Sequence, residues 1–432
     1  MPTISANLNG WGNWANANET MATGKGYIVR GPDAFSNVAQ TFTANFVGVP
    51  NNGNINTPIN RGTYNGINYS TGVSGTPATK DDDNWNLIGN PYPSAVNADN
   101  FLTTNTNIAG FIKLWSHGTA PSAIVMDPFY NNFSMNYSVT DYVTYNLMGA
   151  ITPGFDGNIG AGQGFFVLMN HTSATATENV VFNNSMRNNN YRNDLFYKST
   201  SSSTSVVEEK NRIWLDLISP TNSASRTLVG YATNATNSTD RLYDAPALGI
   251  KSTFELYSME STNQLSIQGR SLPFDTNDEV QLGVTIPQNG LYTIAIASVD
   301  GIFSDTSQNI YLKDNTLGVL HDLRSEPYTF TGAIGTDENR FILKYTNTVL
   351  GNEDFENNNN VTVFSNANIN VNSPIEAIKS VQIFDLLGRE VAAFNNINNT
   401  SFISQNVSKT QSALLVKVTL ENGYTNTYKV IY

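Results

Sequence analysis

Alternation of apolar and polar residues with a period of two is the sequence feature that most restricts the fold of this chain. Val381 and Ile383, for example, alternate with Ser380 and Gln382. Such a period places all apolar side chains on one face of a β-strand. Few stretches show apolar residues at helical spacing instead. The sequence therefore predicts a chain that is nearly all β.

The composition fits folded sheets. Apolar residues make up 40% of the chain and charged residues only 13%, with Asn, Thr, Ser and Gly filling the difference. The 22 Phe and 20 Tyr can bury large areas, which argues against a disordered chain. We expect tandem β-sandwich modules of jelly-roll or immunoglobulin-like form, because the predicted strands are separated by turns and not by long helices.

Two low-complexity stretches indicate the domain boundaries. One is rich in Ser and Thr, and the other is acidic and rich in Asn; both are typical of linkers. The predicted order is an N-terminal β-sandwich-like domain over 1–198, a linker over 199–210, a second β-sandwich over 211–350, a linker over 351–360 and a small terminal domain over 361–432.

One turn in the second domain carries a strong local signal. Asn289 and Gly290 lie between the strand patterns of residues 281–286 and 291–296. An Asn-Gly pair between two strands is typical of a two-residue hairpin, since both residues accept positive φ. The sequence therefore predicts that these two strands pair in a tight hairpin.

The charge is uneven along the chain. The net charge is −12, yet residues 361–432 carry five basic and four acidic side chains, a net charge of +1. No segment is basic enough to neutralise a phosphate backbone, so nucleic acid is not expected as a partner. The near-neutral tail supports a separate terminal module.

Several classes of site and segment are excluded. The chain has no cysteine, which removes disulfides, thiolate metal sites and cysteine nucleophiles. It has no run of 18 apolar residues, so no transmembrane segment is expected. The first ten residues have neither a basic start nor an apolar core. For an exported protein, this predicts that the sequence is the C-terminal part of a longer precursor or comes from an incomplete gene model.

No catalytic motif is found, and we predict that the protein is not an enzyme. His117, His171 and His321 are far apart and lack metal-ligand partners at short spacing, and there is no Gly-x-Ser-x-Gly motif. No cofactor is predicted. The weak candidates for a metal are Asp81, Asp82 and Asp83, which offer oxygens to calcium, although a solvated turn is the favoured interpretation.

The N-terminal segment contains aromatic residues suited to ligand binding. Rings that face solvent stack on the apolar faces of sugars or hold another protein. The candidates are Trp11, Trp14, Trp85, Tyr92 and Trp115, with Tyr130 nearby. Burial in the core or under loops is the alternative for each ring, and it is the favoured one.

The C-terminal tail carries the most specific motif. It reads Phe384-Asp-Leu-Leu-Gly-Arg389 after a strand and closes with Lys429-Val-Ile-Tyr432. Asp385 and Gly388 occupy the first and fourth positions of a predicted type I turn. The tail resembles the C-terminal sorting domain of type IX secretion system cargo. Ser365-Asn366-Ala367 replaces the Pro-Asn-Pro of the commonest form and 412–415 replace its Gly-Ile-Tyr strand, so the tail is similar to a variant class known from Flavobacterium-like bacteria.

The resemblance implies an immunoglobulin-like sorting domain. By resemblance, its partners are the outer-membrane translocon and its shuttle barrel, and the protein is secreted or held at the cell surface of a Gram-negative bacterium. The implied signal residues are Phe384, Asp385, Leu386, Leu387, Gly388, Arg389, Lys429, Val430, Ile431 and Tyr432. An ordinary immunoglobulin-like terminal domain is the alternative.

The expected function therefore combines export with binding. The upstream β-modules are expected to be adhesive, with surface glycans or other proteins as ligands. The alternative is a polysaccharide-binding or polysaccharide-degrading extracellular protein whose catalytic part lies upstream or is not recognised in this sequence. Such an enzyme would need two carboxylates across a cleft, to which no motif points.

Overall fold

The computed structural model describes most of the chain as two compact units, Met1–Asn347 and Thr348–Tyr432. The described residues are 20–29, 47–62, 69–70, 77–78, 84–116, 141–152, 154–187, 209–247, 254–347, 361–409 and 411–432, with positions 34, 40 and 43. The chain is nearly all β over these residues, as the sequence predicts. Both predicted linkers lie almost wholly outside the described residues.

Over its described residues, the N-terminal part of the first unit contains one α-helix and eleven strands. Five strands form a sheet in the order β4-β10-β6-β7-β8, and β1 pairs with β11. The helix α1 (Ala98–Thr104) begins where the Asn97 side chain accepts a hydrogen bond from the Asn100 N–H. The strands are β1 (Ile55–Asn60), β2 (Tyr69–Ser70), β3 (Pro77–Ala78), β4 (Trp85–Gly89), β5 (Val96–Asn97), β6 (Ile108–Trp115), β7 (Tyr142–Asn146), β8 (Gly149–Ala150), β9 (Asn158–Ile159), β10 (Gly164–Met169) and β11 (Thr177–Phe182).

Aromatic residues fill the core of this part. The Phe101 ring of the helix lies 5.3 Å from Phe165 of β10 and 5.0 Å from Phe182 of β11. All three rings are completely buried. Because large apolar areas leave water here, the short helix is fixed between the two sheets. A 3₁₀ turn, Asn184–Met186, follows β11.

The second part of the first unit contains a large, mostly antiparallel sheet. Its order is β20-β19-β22-β17-β15-β16-β13-β12-β18-β21, with β14 paired to β16. A second 3₁₀ turn, Gly301–Ser304, follows β18. The strands are β12 (Lys210–Ile218), β13 (Ala224–Ala232), β14 (Ala245–Pro246), β15 (Glu255–Glu260), β16 (Asn263–Ser271), β17 (Glu279–Ile286), β18 (Gly290–Val299), β19 (Tyr311–Asp314), β20 (Val319–Asp322), β21 (Tyr328–Gly332) and β22 (Gly335–Lys344).

This sheet folds back on itself. Strands β21 and β22 lie far apart in the sheet order, yet Phe330 of β21 is 4.7 Å from Phe341 of β22. Strands from opposite halves of the sheet order therefore face each other across a buried core. The result is a two-layered β-structure, as expected when a long twisted sheet covers its own apolar face.

The hairpin predicted at Asn289 and Gly290 is wrong. Strand β17 pairs with β15 and β22, whereas β18 pairs with β12 and β21. The Asn289 side chain accepts a hydrogen bond from the Ile334 N–H at 2.7 Å. The Asn-Gly pair therefore lies at a corner between the two layers, because the partners of each strand come from elsewhere in the chain.

The two parts of the first unit share an apolar cluster. Phe111 and Met148 of the first part are buried together with Trp214, Leu228 and Ile267 of the second. The Trp214 Nε1–H donates to the Ala150 carbonyl oxygen at 3.0 Å. The segments on either side of the predicted 199–210 linker are therefore packed against each other.

The terminal unit has its own core between two sheets. One sheet has the order β23-β24-β27 and the other β26-β25-β28-β29. Ile369 and Val371 of the first face Val381, Ile383 and Val416 of the second in one buried cluster. The strands are β23 (Thr362–Ser365), β24 (Ile369–Asn372), β25 (Ile378–Asp385), β26 (Glu390–Asn399), β27 (Ser401–Ile403), β28 (Ala413–Leu420) and β29 (Thr425–Ile431).

Candidate functional site

The candidate site is the turn that joins β25 to β26. The Gly388 N–H donates to the Asp385 carbonyl oxygen at 3.0 Å, which closes the turn with Asp385 first and Gly388 fourth, as predicted. Gly388 has a φ of +78°, and no heavy atom lies near the position of an added Cβ. The glycine is therefore needed for its backbone conformation and not for space.

The Asp385 carboxylate organises this turn. Oδ1 accepts hydrogen bonds from the N–H groups of Leu387, at 2.9 Å, and Arg389, at 3.0 Å, while Oδ2 accepts from the Arg389 guanidinium at 2.7 Å. These hydrogen bonds lower the pKa of Asp385 below its ordinary value, and the bond from the Arg389 N–H has the largest effect. The carboxylate is thus held in its charged form, and the turn has a defined shape.

The two leucines between Asp385 and Gly388 point into solvent. Leu386 is 64% exposed and Leu387 82% exposed. Burying a leucine side chain is worth about 1.5–3 kcal/mol, so two adjacent exposed leucines contribute little to the stability of the domain itself. Their chemistry suits contact with another apolar surface.

The last strand alternates between the core and solvent. Val430 and Tyr432 are buried, whereas Lys429 and Ile431 face solvent, the latter with 69% exposure. The Tyr432 hydroxyl donates to the Ala367 carbonyl oxygen at 3.0 Å. Of the predicted signal residues here, Val430 and Tyr432 therefore anchor the strand, and Lys429 and Ile431 are accessible.

Strand β29 is an edge strand of the four-stranded sheet. Tyr432 exchanges both backbone hydrogen bonds with Ser412, and Val430 lies opposite Leu414 in the same register. In an antiparallel pair, the alternate residues direct their backbone groups away from the neighbouring strand. The N–H and C=O of Lys429 therefore point outward from the sheet.

The sequence did not single out the outer neighbours of this turn. Leu415 and Lys417 lie on β28, where the buried residues are Leu414, Val416 and Val418. The period of two in residues 413–420 is the signal that places Leu415 and Lys417 on the opposite face. Leu415 lies between Phe384 and Lys429 in register, next to the turn.

Of the predicted aromatic candidates, the structure describes Tyr92, Trp85 and Trp115, and it does not bring these three together as a platform. Tyr92 is not available for stacking, because its ring is buried with 2% exposure and its hydroxyl donates to the Gly53 carbonyl oxygen. Trp85 is half-buried against Phe111, and the Lys113 ammonium lies 5.2 Å from the centre of its ring. Trp115 is half-buried at the end of β6. Trp11, Trp14 and Tyr130 lie outside the described residues.

The candidates for metal binding give no cluster within the described part of the chain. Asp81, Asp82, Asp83 and His117 lie outside it. His171 forms a hydrogen bond with Asn84 at 3.1 Å, and His321 one with the Glu326 carbonyl oxygen at 2.8 Å. Among the described residues, no group of three or more His, Asp or Glu side chains is placed to hold a metal ion.

No helix among the described residues has the length and apolarity needed to cross a membrane. Two family models match the chain. One, described as a domain of unknown function (DUF8693), matches residues 2–345, and the other, also described as a domain of unknown function (DUF8694), matches residues 350–432. No curated protein matches the chain. The change from one family to the other falls where the two compact units divide.

Proposed function

We propose that this chain, which belongs to the family described as a domain of unknown function (DUF8693), is exported by type IX secretion through its terminal domain. The terminal domain is proposed to be an immunoglobulin-like sorting domain. Its partners are then the outer-membrane translocon and its shuttle barrel, and its destination is the cell exterior. The upstream β-structure is the cargo, for which we propose tandem jelly-roll or immunoglobulin-like modules.

One observation carries this proposal: the Phe384–Arg389 motif forms a fixed turn whose leucines are exposed. The Asp385 carboxylate holds the turn through three hydrogen bonds, from Leu387 and Arg389, and an ion pair with Arg389, while the side chains of Leu386 and Leu387 remain in solvent. A turn that only connected two strands would not need apolar residues at its tip. A signal that is read by a receptor needs accessible side chains on a rigid support.

The separate core of the terminal unit supports the same proposal. Val381, Ile383 and Val416 belong to a buried cluster whose described members all come from this unit. A module with its own core can be recognised, and removed, without taking apart the cargo. The division between the two family models at the same point fits a module that is combined with different cargo.

The test removes the terminal unit from the full chain in the cells that produce it. Deletion of residues 361–432 is expected to leave the chain inside the cell envelope, whereas the intact chain reaches the medium or the cell surface. Protease accessibility on whole cells and immunoblots of the medium measure this distribution. Unchanged export of the truncated chain would refute the sorting function.

We further propose an adhesive role for the cargo, with glycans or proteins as ligands. Trp115 supports it as a predicted aromatic that, like Trp85, is half-buried at a strand end, whereas Tyr92 is enclosed in the core. Trp115→Ala is expected to lower retention of the full chain on immobilised polysaccharides, measured by pull-down. Retention equal to that of the unchanged chain would remove Trp115 from this role.

A further inference from the structure

The outer face of the four-stranded sheet in the terminal unit is apolar near the turn. Leu414, Val416 and Val418 are buried in the core, so the alternate residues Ala413 and Leu415 face away from it. We call the following residues the turn-end patch: Phe384, Leu386, Leu387, Ala413, Leu415 and Ile431.

The strand register brings this patch together from three segments. Phe384 of β25 lies opposite Leu415 of β28, and Ala413 lies opposite Ile431 of β29. Side chains directly opposite each other in an antiparallel pair have Cβ atoms about 4.5–5.5 Å apart. Leu386 and Leu387 extend the patch from the end of β25. The patch is therefore continuous across three strands and the turn.

Two lysines adjoin the patch on the same face. Lys429 of β29 lies directly opposite Leu415 of β28, and Lys417 lies two residues after Leu415 on the same strand. Neither lysine forms an ion pair with another residue of the described terminal unit. Two carboxylates also adjoin the patch, and both have partners. Asp385 is bonded by Arg389, and Glu390, opposite Phe384, accepts a hydrogen bond from Gln382 at 3.1 Å.

The guanidinium of Arg389 adds a third cation at the turn. It is 78% exposed even though it bonds the Asp385 carboxylate. The patch therefore has cationic groups on two of its sides. A surface that covered it would gain from apolar atoms at the centre and carboxylates at the border.

We propose that the turn-end patch docks into an apolar pocket, bordered by carboxylates, on the outer-membrane receptor that takes the chain through export. This inference rests on the sorting function proposed above and names the surface and the chemistry of the contact. Leu386 and Leu387 enter the pocket, and Lys417 and Lys429 pair with the carboxylates at its border.

A second copy of this chain is a less suitable occupant. Two identical patches placed face to face would bring Lys417 and Lys429 of both copies close together, and like charges at an interface oppose association. A receptor with the opposite charge meets both the apolar and the cationic part of this face.

The experiment compares full-length variants in the producing cells by the fraction of chain outside the cell. L386S/L387S is expected to lower this fraction about tenfold, because two apolar anchors are lost. K417E/K429E is expected to lower it as well, and K417R/K429R is expected to preserve it. The control is F364S/I403S, two residues that are 50% and 56% exposed on the three-stranded sheet of the same unit.

The outcomes separate this inference from the sorting function. If deletion of 361–432 blocks export while L386S/L387S is exported like the unchanged chain, the patch is not the docking surface but the sorting function stands. If F364S/I403S blocks export equally, the effect is not specific to the patch and the inference also fails.

Thermal unfolding of each purified variant checks that the terminal unit is folded. If L386S/L387S abolishes self-association in solution and leaves export intact, the occupant is a second copy and the inference is overturned.

Discussion

The fully buried carboxylate of Asp314 accepts two hydrogen bonds from the guanidinium of Arg340, at 3.0 Å from Nε and 2.8 Å from the terminal nitrogen Nη2. The guanidinium also lies over the rings of Phe330 and Phe341. Since these rings come from β21 and β22, which lie far apart in the sheet order, the ion pair lies where that sheet closes on itself. Burial raises the pKa of Asp314, but the bonds from Arg340 and the Tyr328 hydroxyl outweigh this and lower it overall.

Removing Arg340 should therefore destabilise the first unit strongly. We expect Arg340→Met to cost about 3–5 kcal/mol, because a buried carboxylate would lose its counter-ion. The matched control is Arg389→Met, which removes a guanidinium whose side chain is 78% exposed, so its loss should cost much less. Urea unfolding at neutral pH measures both, and equal losses would contradict the difference in burial.

Asp244 should make the stability of the first unit depend on pH. Burial raises the pKa of its carboxyl to about 6, even though the Asp240 and Gly269 N–H groups donate to it. The pKa of Asp244 is thus higher in the folded chain than in the unfolded chain, where it is about 3.9. The stabilisation that the protonated Asp244 gives to the folded state is therefore complete when the pH lies below the unfolded pKa. It is lost as the pH rises through about 6.

The variant Asp244→Asn isolates this contribution. A shift of about two pKa units corresponds to roughly 3 kcal/mol between the two protonation states. The unfolding free energy of the unchanged chain should fall between pH 4 and pH 7. In the variant, we expect this fall to be smaller, by up to the amount just given. Unfolding curves at several pH values measure the slope. Parallel slopes for both chains would show that another group titrates.

Arg241 should couple the two parts of the first unit. Its guanidinium donates to the carbonyl oxygens of Leu102, at 2.9 Å, Ile108, at 3.0 Å, and Asn105, at 3.3 Å. Arg241→Met should cost about 3 kcal/mol, because three buried carbonyl oxygens lose a charged donor. We also expect the two parts of the unit to unfold separately in this variant, so that calorimetry shows two transitions in place of one.

The control for Arg241 is another arginine of the same unit. Arg226 pairs with Asp216 between adjacent strands of the second part and contacts neither α1 nor β6 through this pair. Arg226→Met should lower the stability and leave one transition. If both variants unfold in the same single step, the contact at Arg241 is not what joins the two parts.

Gly388 should be the most sensitive backbone position of the turn. Its φ of +78° is costly for a residue with a side chain, so Gly388→Ala should destabilise the terminal unit by about 1–2 kcal/mol. Gly388→Asn should cost less, since asparagine accepts the left-handed region more readily. Denaturation followed at the terminal unit measures both. An alanine variant as stable as the asparagine variant would contradict this.

The sequence predicts local features of this chain better than long-range ones. The Asp385 turn and the alternation of β28 follow from neighbouring residues, and both are present. The pairing of β18 with β12 depends on residues about 80 positions apart, which no local Asn-Gly signal reports. The hairpin prediction failed for this reason.

The partners that bury individual aromatic residues were also beyond a local pattern. Burial was the favoured interpretation for each ring and holds for Tyr92, but Phe182, 6.4 Å away between ring centres, is brought to it from β11. The exposure of Leu386 and Leu387 is the opposite case, because the turn holds apolar residues away from the core. Neither the ring that packs against Tyr92 nor the exposure of the two leucines can be predicted from neighbouring residues.

The shared cluster of the first unit has a practical consequence for dividing this protein. Phe111 and Met148 are covered by Trp214, Leu228 and Ile267 from beyond residue 208. A fragment ending near residue 198 would expose this apolar cluster to water and would therefore be prone to aggregation. Soluble pieces of this protein should therefore keep residues 20–347 whole, because two separate halves would bury this cluster only by remaining bound to each other.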